Sequence, residues 1–210
     1  MQAKLFELAP SSSSENILSK DGSAFYFPDM FDQKNSEQLF NRLATSLDWK
    51  SDELMMFGKK IITQRKVAWI GDPDCSYTYS GVKKDPQAWT PELLIIKNKA
   101  QALSQWQFNS CLLNLYHSGD EGMGWHSDDE KELDCAAPIV SISLGEVRKF
   151  AFRHRHDKTV HSLMLENGSA LVMHAPAQTY WHHSLLKTKR AAGARINLTF
   201  RVIKNKRHLP

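Results

Sequence analysis

The chain has 210 residues, 41% hydrophobic and 24% charged, with 27 basic against 23 acidic side chains and a net charge of +4. That describes one globular domain long enough to bury a core, with a mild basic excess that suits a polyanionic partner without requiring one. Cys75, Cys111 and Cys135 are odd in number and form no Cys-x-x-Cys pair, and the sequence has neither a signal-peptide start nor an apolar run of bilayer length. This excludes a disulfide framework, a cysteine zinc site and a membrane span, and it predicts a soluble protein of the cytoplasm, or of the nucleus in a eukaryote.

Residues 1–20 contain Pro10 and the run Ser11-Ser12-Ser13-Ser14 and read as a flexible lead-in, leaving 21–210 as a single domain. Phe25-Tyr26-Phe27 is a short strand ended by Pro28. A helix follows, with Leu39, Phe40, Leu43 and Leu47 on one face and Asn35 as its cap. Ile61-Ile62-Thr63 and Val67 to Ile70 are strands, Asp72-Pro73-Asp74 is a turn, and Tyr77-Thr78-Tyr79 is extended. Thr90 and Pro91 open a second helix that runs to about Ser104.

From Phe108 the pattern changes to short strands: Phe108 to Tyr116, Ile139 to Leu144 with serines alternating, Lys149 to Arg153, Ser162 to Leu165, Ser169 to Met173, and Ile196 to Val202. Asn167-Gly168 predicts a hairpin between two of them. Helices followed by many short strands give an α+β chain whose second half is a sandwich or jelly roll.

The chemistry-bearing stretch is Trp125-His126-Ser127-Asp128-Asp129-Glu130, in which His126 stands two positions before Asp128. On its own this is an ordinary solvated turn. With a second histidine from Trp181-His182-His183-Ser184 it supplies the two imidazoles and one carboxylate that hold non-haem Fe(II) on one face. Alternation on the last strand puts Arg195, Asn197, Thr199 and Arg201 on one side and Ile196, Leu198, Phe200 and Val202 on the other. Six residues at ~3.4 Å span ~20 Å, and inward-reaching arginines leave a gap of ~8 Å, the length of a five-carbon dicarboxylate such as 2-oxoglutarate. Asn114 and Tyr116 share a strand face and are candidates for the same ligand. The plain alternatives are a wet edge face for the arginines and core packing for Tyr116.

Asn114-Leu115-Tyr116, His126 to Glu130, Pro138 to Gly145, Phe152-Arg153-His154, Trp181 to Ser184 and Arg195 to Arg201 together resemble the AlkB family of Fe(II)- and 2-oxoglutarate-dependent dioxygenases, in particular its nucleic-acid dealkylation repair branch. The likeness covers roughly Phe57 to Ile203. It implies a double-stranded β-helix, a jelly roll over 108–203, preceded by helices and a nucleotide-recognition lid over 21–107. Iron would be held by His126, Asp128 and His183, the last chosen over His182 by the family's pattern and by its distance of twelve positions from Arg195. Arg195 and Arg201 would bind the far and near carboxylates of 2-oxoglutarate, with Asn197, Asn114 and Tyr116 completing that site.

The resemblance also implies the reaction. N-alkylated bases of the 1-methyladenine and 3-methylcytosine type, in DNA and with RNA open as a second polymer, would lose their alkyl group as an aldehyde while 2-oxoglutarate becomes succinate and CO2. A base reaches such a site only by leaving the stack. Tyr79, Trp69 and Tyr77 would flank it, Glu130 would face its exocyclic amine and favour a cationic lesion, and Asp129 would orient the loop. Phe57 is a candidate wedge, and Arg65, Lys66, Arg153 and Arg155 are candidate phosphate contacts of a monomeric enzyme. The same oxygenase chemistry on a substrate other than nucleic acid, and a binding module without turnover, are the competing readings.

Overall fold

The alternating strands of the second half close into two facing sheets. The computed structural model describes residues 15–56, 59–75, 77–79, 82–191 and 193–204, and for 52–56, 59–61, 77–79 and 82–84 the backbone only. The first half provides β1 (Ser23–Phe27), helix α1 (Gln33–Ser46), β2 (Lys50–Met56), β3 (Lys59–Gly71), β4 (Tyr77–Tyr79), β5 (Val82–Lys84) and helix α2 (Pro91–Ser104). The second half provides β6 (Ser110–Tyr116), β7 (Met123–His126), β8 (Ile139–Gly145), β9 (Arg148–His154) and β10 (Val160–Leu165). It ends with β11 (Ser169–His174), the one-turn helix α3 (Ala177–Tyr180), β12 (Trp181–Leu185) and β13 (Arg195–Arg201).

A seven-stranded sheet has the order β1-β11-β8-β13-β6-β3-β2, a four-stranded sheet the order β10-β9-β12-β7, and β4 pairs with β5 apart from both. Each face of the large sheet has its own apolar partner. Outward, Ile70, Cys111, Leu113, Ile142, Leu198 and Phe200 pack with Leu39 and Leu43 of α1 and with Leu93, Ile96 and Ala100 of α2. Inward, Tyr116, Ile139, Leu171 and Met173 meet Phe150, Phe152, Leu165, Trp181 and Leu185 of the small sheet. Each large apolar side chain so buried contributes about 1.5–3 kcal/mol. The inner space is closed at the β1–β11 end by this packing and is polar toward β13 and β6, which places a site there.

Several sequence-based expectations need correction. The cap of α1 is Asp32, whose Oδ1 accepts the Asn35 backbone N–H at 2.8 Å, so Asn35 lies within the first turn. A carboxylate just ahead of the orphan N–H groups satisfies one of them and suits the positive helix end. Thr90 caps α2 as expected, accepting from Leu93 N at 3.3 Å. The two strands expected between Ile61 and Ile70 are one continuous strand, β3.

Asn167-Gly168 turns the chain, with Gly168 at φ 81°, but makes no hairpin, because β10 and β11 belong to different sheets. The burial patterns explain why. β10 alternates exposed and covered residues, as an edge strand does, whereas β11 is buried at five successive positions and is covered on both faces. The turn is instead held to β8: Gly168 N donates to Ser143 O at 2.8 Å, and Gly145 N donates to Asn167 Oδ1 at 2.8 Å. Residues 15–20, part of the stretch expected to be flexible, make specific contacts although most of them are exposed. Leu18 is buried, Asn16 Oδ1 accepts from Ala24 N at 2.8 Å, and Trp181 Nε1 donates to Lys20 O at 3.0 Å. No helix among the described residues is long and apolar enough to cross a membrane.

Candidate metal centre and cosubstrate pocket

The register of β12 against β7 sets His183 opposite His126, with ring centroids 4.3 Å apart. The chain leaves β7 immediately after His126, and the following loop turns Asp128 in. One ligand atom from each of His126, Asp128 and His183 lies within 4.8 Å of the others, and this is the single such cluster among the described residues. The three can coordinate one ion and leave its opposite side open, the arrangement of the two-histidine, one-carboxylate centre. Alternation along β12 sends His182 to the outer face of the small sheet, where it sits opposite Arg153.

Each ligand is prepared electrostatically. The Nδ1–H of His126 donates to Gly124 O at 2.8 Å, which leaves the Nε2 lone pair facing Asp128, 3.7 Å away. Burial pulls His183 down to about 4, so its imidazole is neutral at physiological pH. Its ring lies flat against Phe150, with centroids 5.4 Å apart at 25°. Burial would raise the Asp128 carboxyl, but the Arg201 guanidinium, followed by the two imidazoles, outweighs it and holds the group below the usual carboxylate range.

Asn114, Tyr116, Asn197 and Arg201 line the cavity of about 130 Å³ that the triad faces, and Arg195 lies behind it, opposite Tyr116. Cross-strand pairing puts Arg195 opposite Tyr116 and Asn197 opposite Asn114, so one face of β6 and one of β13, which ends at Arg201, furnish all five candidates. Arg195 is fully buried. Its Nη2 donates to Ser143 Oγ at 2.9 Å, while Nε and Nη1 have no protein acceptor. Burial pulls this guanidinium down to about 10, still charged at neutral pH. The buried Asn114 amide oxygen likewise lacks a donor, and turning the amide over would present its NH2 to an anion. Arg201 reaches the metal side, its Nε 3.6 Å from Asp128 Oδ2 and its Nη1 3.0 Å from Glu130 Oε1. A buried cation with spare donors at one end of β13, a second arginine beside Asp128 at the other end, and three converging ligands fit Fe(II) and a dicarboxylate.

The substrate-side candidates are dispersed. Glu130 is exposed at the mouth and tied to Arg201, and Asp129 is exposed and tied to Arg155 at 2.9 Å. Trp69 shares the inner face opposite Leu112 and donates from Nε1 to Ser110 Oγ at 2.9 Å. Tyr77 and Tyr79 belong to β4, but their side chains lie outside the described residues, as does Phe57 entirely. Among the expected phosphate contacts, Arg153 is on the outer sheet face with its guanidinium carbon 4.3 Å over the Trp125 ring. Lys66 donates to Ser51 Oγ at 2.8 Å.

Two of these expectations do not match the placement. Arg65 is only 6% exposed and has its Nη1 3.4 Å from Met123 Sδ, so it does not face the solvent as a backbone contact must. Arg155 turns back onto the triad loop. The sequence reading missed Ser141 and Ser143, whose alternation with apolar residues in β8 was the available signal for a polar inner face. It also missed Gln178, which gave no signal because α3 is a single turn without periodicity.

A jelly roll with this triad and this anion pocket defines a class of oxygenase, and the model of the 2OG-Fe(II) oxygenase superfamily matches residues 23–201. Its metal and cosubstrate are Fe(II) and 2-oxoglutarate. Among characterised relatives, the DNA oxidative demethylase ALKBH2 of Bos taurus is 35% identical over 185 residues, 83% of this chain and 66% of that protein. The Mus musculus protein of the same name is 34% identical over 197 residues, 89% of this chain and 82% of that one. The chain belongs to the AlkB family of this superfamily. The solved structure of OsALKBH1 superimposes with a TM-score of 0.57 at 19% identity, over 85% of this chain and 96% of that one, which supports the fold alone.

Proposed function

We propose that this chain oxidatively removes alkyl groups from N-alkylated bases in DNA, and from the same bases in RNA, acting as a monomer. The observation that carries this reading is one cavity lined by the open-faced His126, Asp128 and His183 cluster together with Asn114, Tyr116, Asn197 and Arg201, while the buried Arg195, opposite Tyr116, keeps two nitrogens without a protein acceptor. Two relatives that match most of this chain are named DNA oxidative demethylases.

The residues divide the work. Arg195 and Arg201 hold the two carboxylates of 2-oxoglutarate, and Asn114, Tyr116 and Asn197 fix its orientation along β6 and β13. Phe150, Met173 and Leu185 keep the space around His183 apolar and dry. Iron, when bound, supplies the activation of dioxygen that converts 2-oxoglutarate to succinate and CO2 and delivers one oxygen atom to the N-alkyl carbon. The resulting hemiaminal loses the aldehyde, and the base nitrogen keeps the C–N electron pair. Glu130 at the mouth gives a cationic base a favourable carboxylate neighbour that an uncharged normal base does not need, which selects 1-methyladenine and 3-methylcytosine.

The test is to load the protein anaerobically with Fe(II) and 2-oxoglutarate and then admit air, with and without a 3-methylcytosine oligonucleotide. Formaldehyde matching succinate, only with the methylated strand present, is the expected result. Succinate without formaldehyde would place the oxygenase on another substrate, and neither product from metal-loaded protein would reject turnover.

A further inference from the structure

We propose that Arg155 is a positioning residue of the metal centre, locking the Asp128 loop to the start of β12, and is not a phosphate contact. The proposal rests on reading His126, Asp128 and His183 as an Fe(II) site. Residues 127–130 pair with no strand, so side-chain bonds must set where Asp128 points. Arg155 Nη2 donates to Ser127 Oγ at 2.7 Å, to Asp129 Oδ2 at 2.9 Å and to Gln178 O at 3.2 Å. It therefore grips the residues on both sides of Asp128.

The same group is tied to the element that carries the distal ligand. Arg155 N donates to Tyr180 O at 2.8 Å, and Ser127 Oγ donates to Trp181 O at 3.0 Å, two positions before His183. Gln178, whose carbonyl Arg155 binds, accepts the Asp128 backbone N–H on its Oε1 at 3.0 Å. One guanidinium thus fixes the separation of two ligands that come from different segments. Its charge is already matched by Asp129, which weakens any pull on a phosphate. A planar guanidinium can serve several acceptors in fixed directions, which an ammonium cannot.

Co(II) titration of the full chain tests this without turnover, using Arg155→Ala, Arg155→Lys and Gln178→Ala beside the unaltered protein. Groups that orient metal ligands typically influence affinity 10- to 100-fold. The expectation is an affinity loss of about 10- to 100-fold in Arg155→Ala with an altered Co(II) visible spectrum, a smaller loss in Gln178→Ala, and partial recovery in Arg155→Lys. The salt dependence of binding to a methylated oligonucleotide should stay unchanged.

Unaltered Co(II) affinity and spectrum in Arg155→Ala would overturn the proposal. So would a drop of about one in the slope of log affinity against log salt, the mark of a lost phosphate contact. If Arg155→Ala does not fold, Gln178→Ala and Arg155→Lys decide, since each keeps part of the lock, and unchanged affinity in both rejects it. Failure of the unaltered chain to bind Co(II) would instead reject the iron-site reading beneath it.

Discussion

Arg195 lies directly opposite Tyr116 in the register of β13 and β6, its guanidinium carbon 5.7 Å from the centre of the phenol ring. Arg148 approaches the same ring at 6.0 Å, so two buried cations share one aromatic neighbour. They differ in what satisfies them. Arg148 donates to the carbonyls of Ser118, Gly119, Glu121 and Leu186 and staples two loops. Arg195 keeps two nitrogens without a protein acceptor. One arginine is built into the fold, and the other is built for a ligand.

Replacing Arg195 by Met separates those roles. Removing a buried charge that lacks a carboxylate partner leaves the folded state about as stable or more stable, since the desolvation cost goes with it. Two lost charged hydrogen bonds at about 1.5–3 kcal/mol each lower 2-oxoglutarate affinity by roughly 100-fold or more. Calorimetric titration with 2-oxoglutarate and a thermal melt read the two effects independently. Preserved affinity with a lowered melting temperature would show that Arg195 serves the fold instead.

Asp128→Ala removes the one anionic ligand and leaves His126 and His183 as a pair. Turnover should fall to background, while affinity for a methylated oligonucleotide stays within about threefold, because Arg153 and the other basic groups are untouched. Retained turnover would contradict the metal assignment.

What the sequence disclosed tracks the period of each element. The two faces of β13 were legible from alternation alone: Ile196, Leu198 and Phe200 are in the outer core, and Arg195, Asn197, Thr199 and Arg201 face inward. The triad was legible as residue types, with His183 chosen over its neighbour by pattern. Sheet membership was not legible, because Asn167-Gly168 specifies a turn without saying whether the strands it joins pair with each other. The placement of Arg155 was not legible for a similar reason. A basic cluster looks the same in sequence whether its side chains face solvent or reach back 28 positions to Ser127.

The packing of residues 15–22 carries a pH dependence. Asp157 accepts from the Lys20 ammonium, and its Oδ1 also accepts from Thr159 N at 3.0 Å. The bond to Lys20, then that to Thr159, holds its carboxyl well below the ordinary 3.8. A depressed folded-state value means that the stabilisation is present above the unfolded value and is lost as pH falls through the folded one. Asp157→Asn should therefore melt slightly below the unaltered chain at pH 7, and the gap should close on acidification below about pH 4. A gap independent of pH would assign the loss to packing and not to charge.

The thiols give a test of the core that needs no ligand. Burial, with the nearby Asp74 and Asp72 charges, pushes Cys75 up to about 11, and burial pushes Cys111 up as well, whereas Cys135 is exposed. Only the thiolate attacks an alkylating agent, so a raised value keeps both buried groups protonated and inert at pH 8. Iodoacetamide should then modify the folded chain once, at Cys135, and three times in denaturant, as counted by intact-mass spectrometry. Cys111 lies on β6 between the two helices and the inner face that carries Asn114 and Tyr116. Its modification at a rate near that of Cys135 would mean that β6 opens readily, and a strand that opens cannot hold the cosubstrate residues in a fixed register.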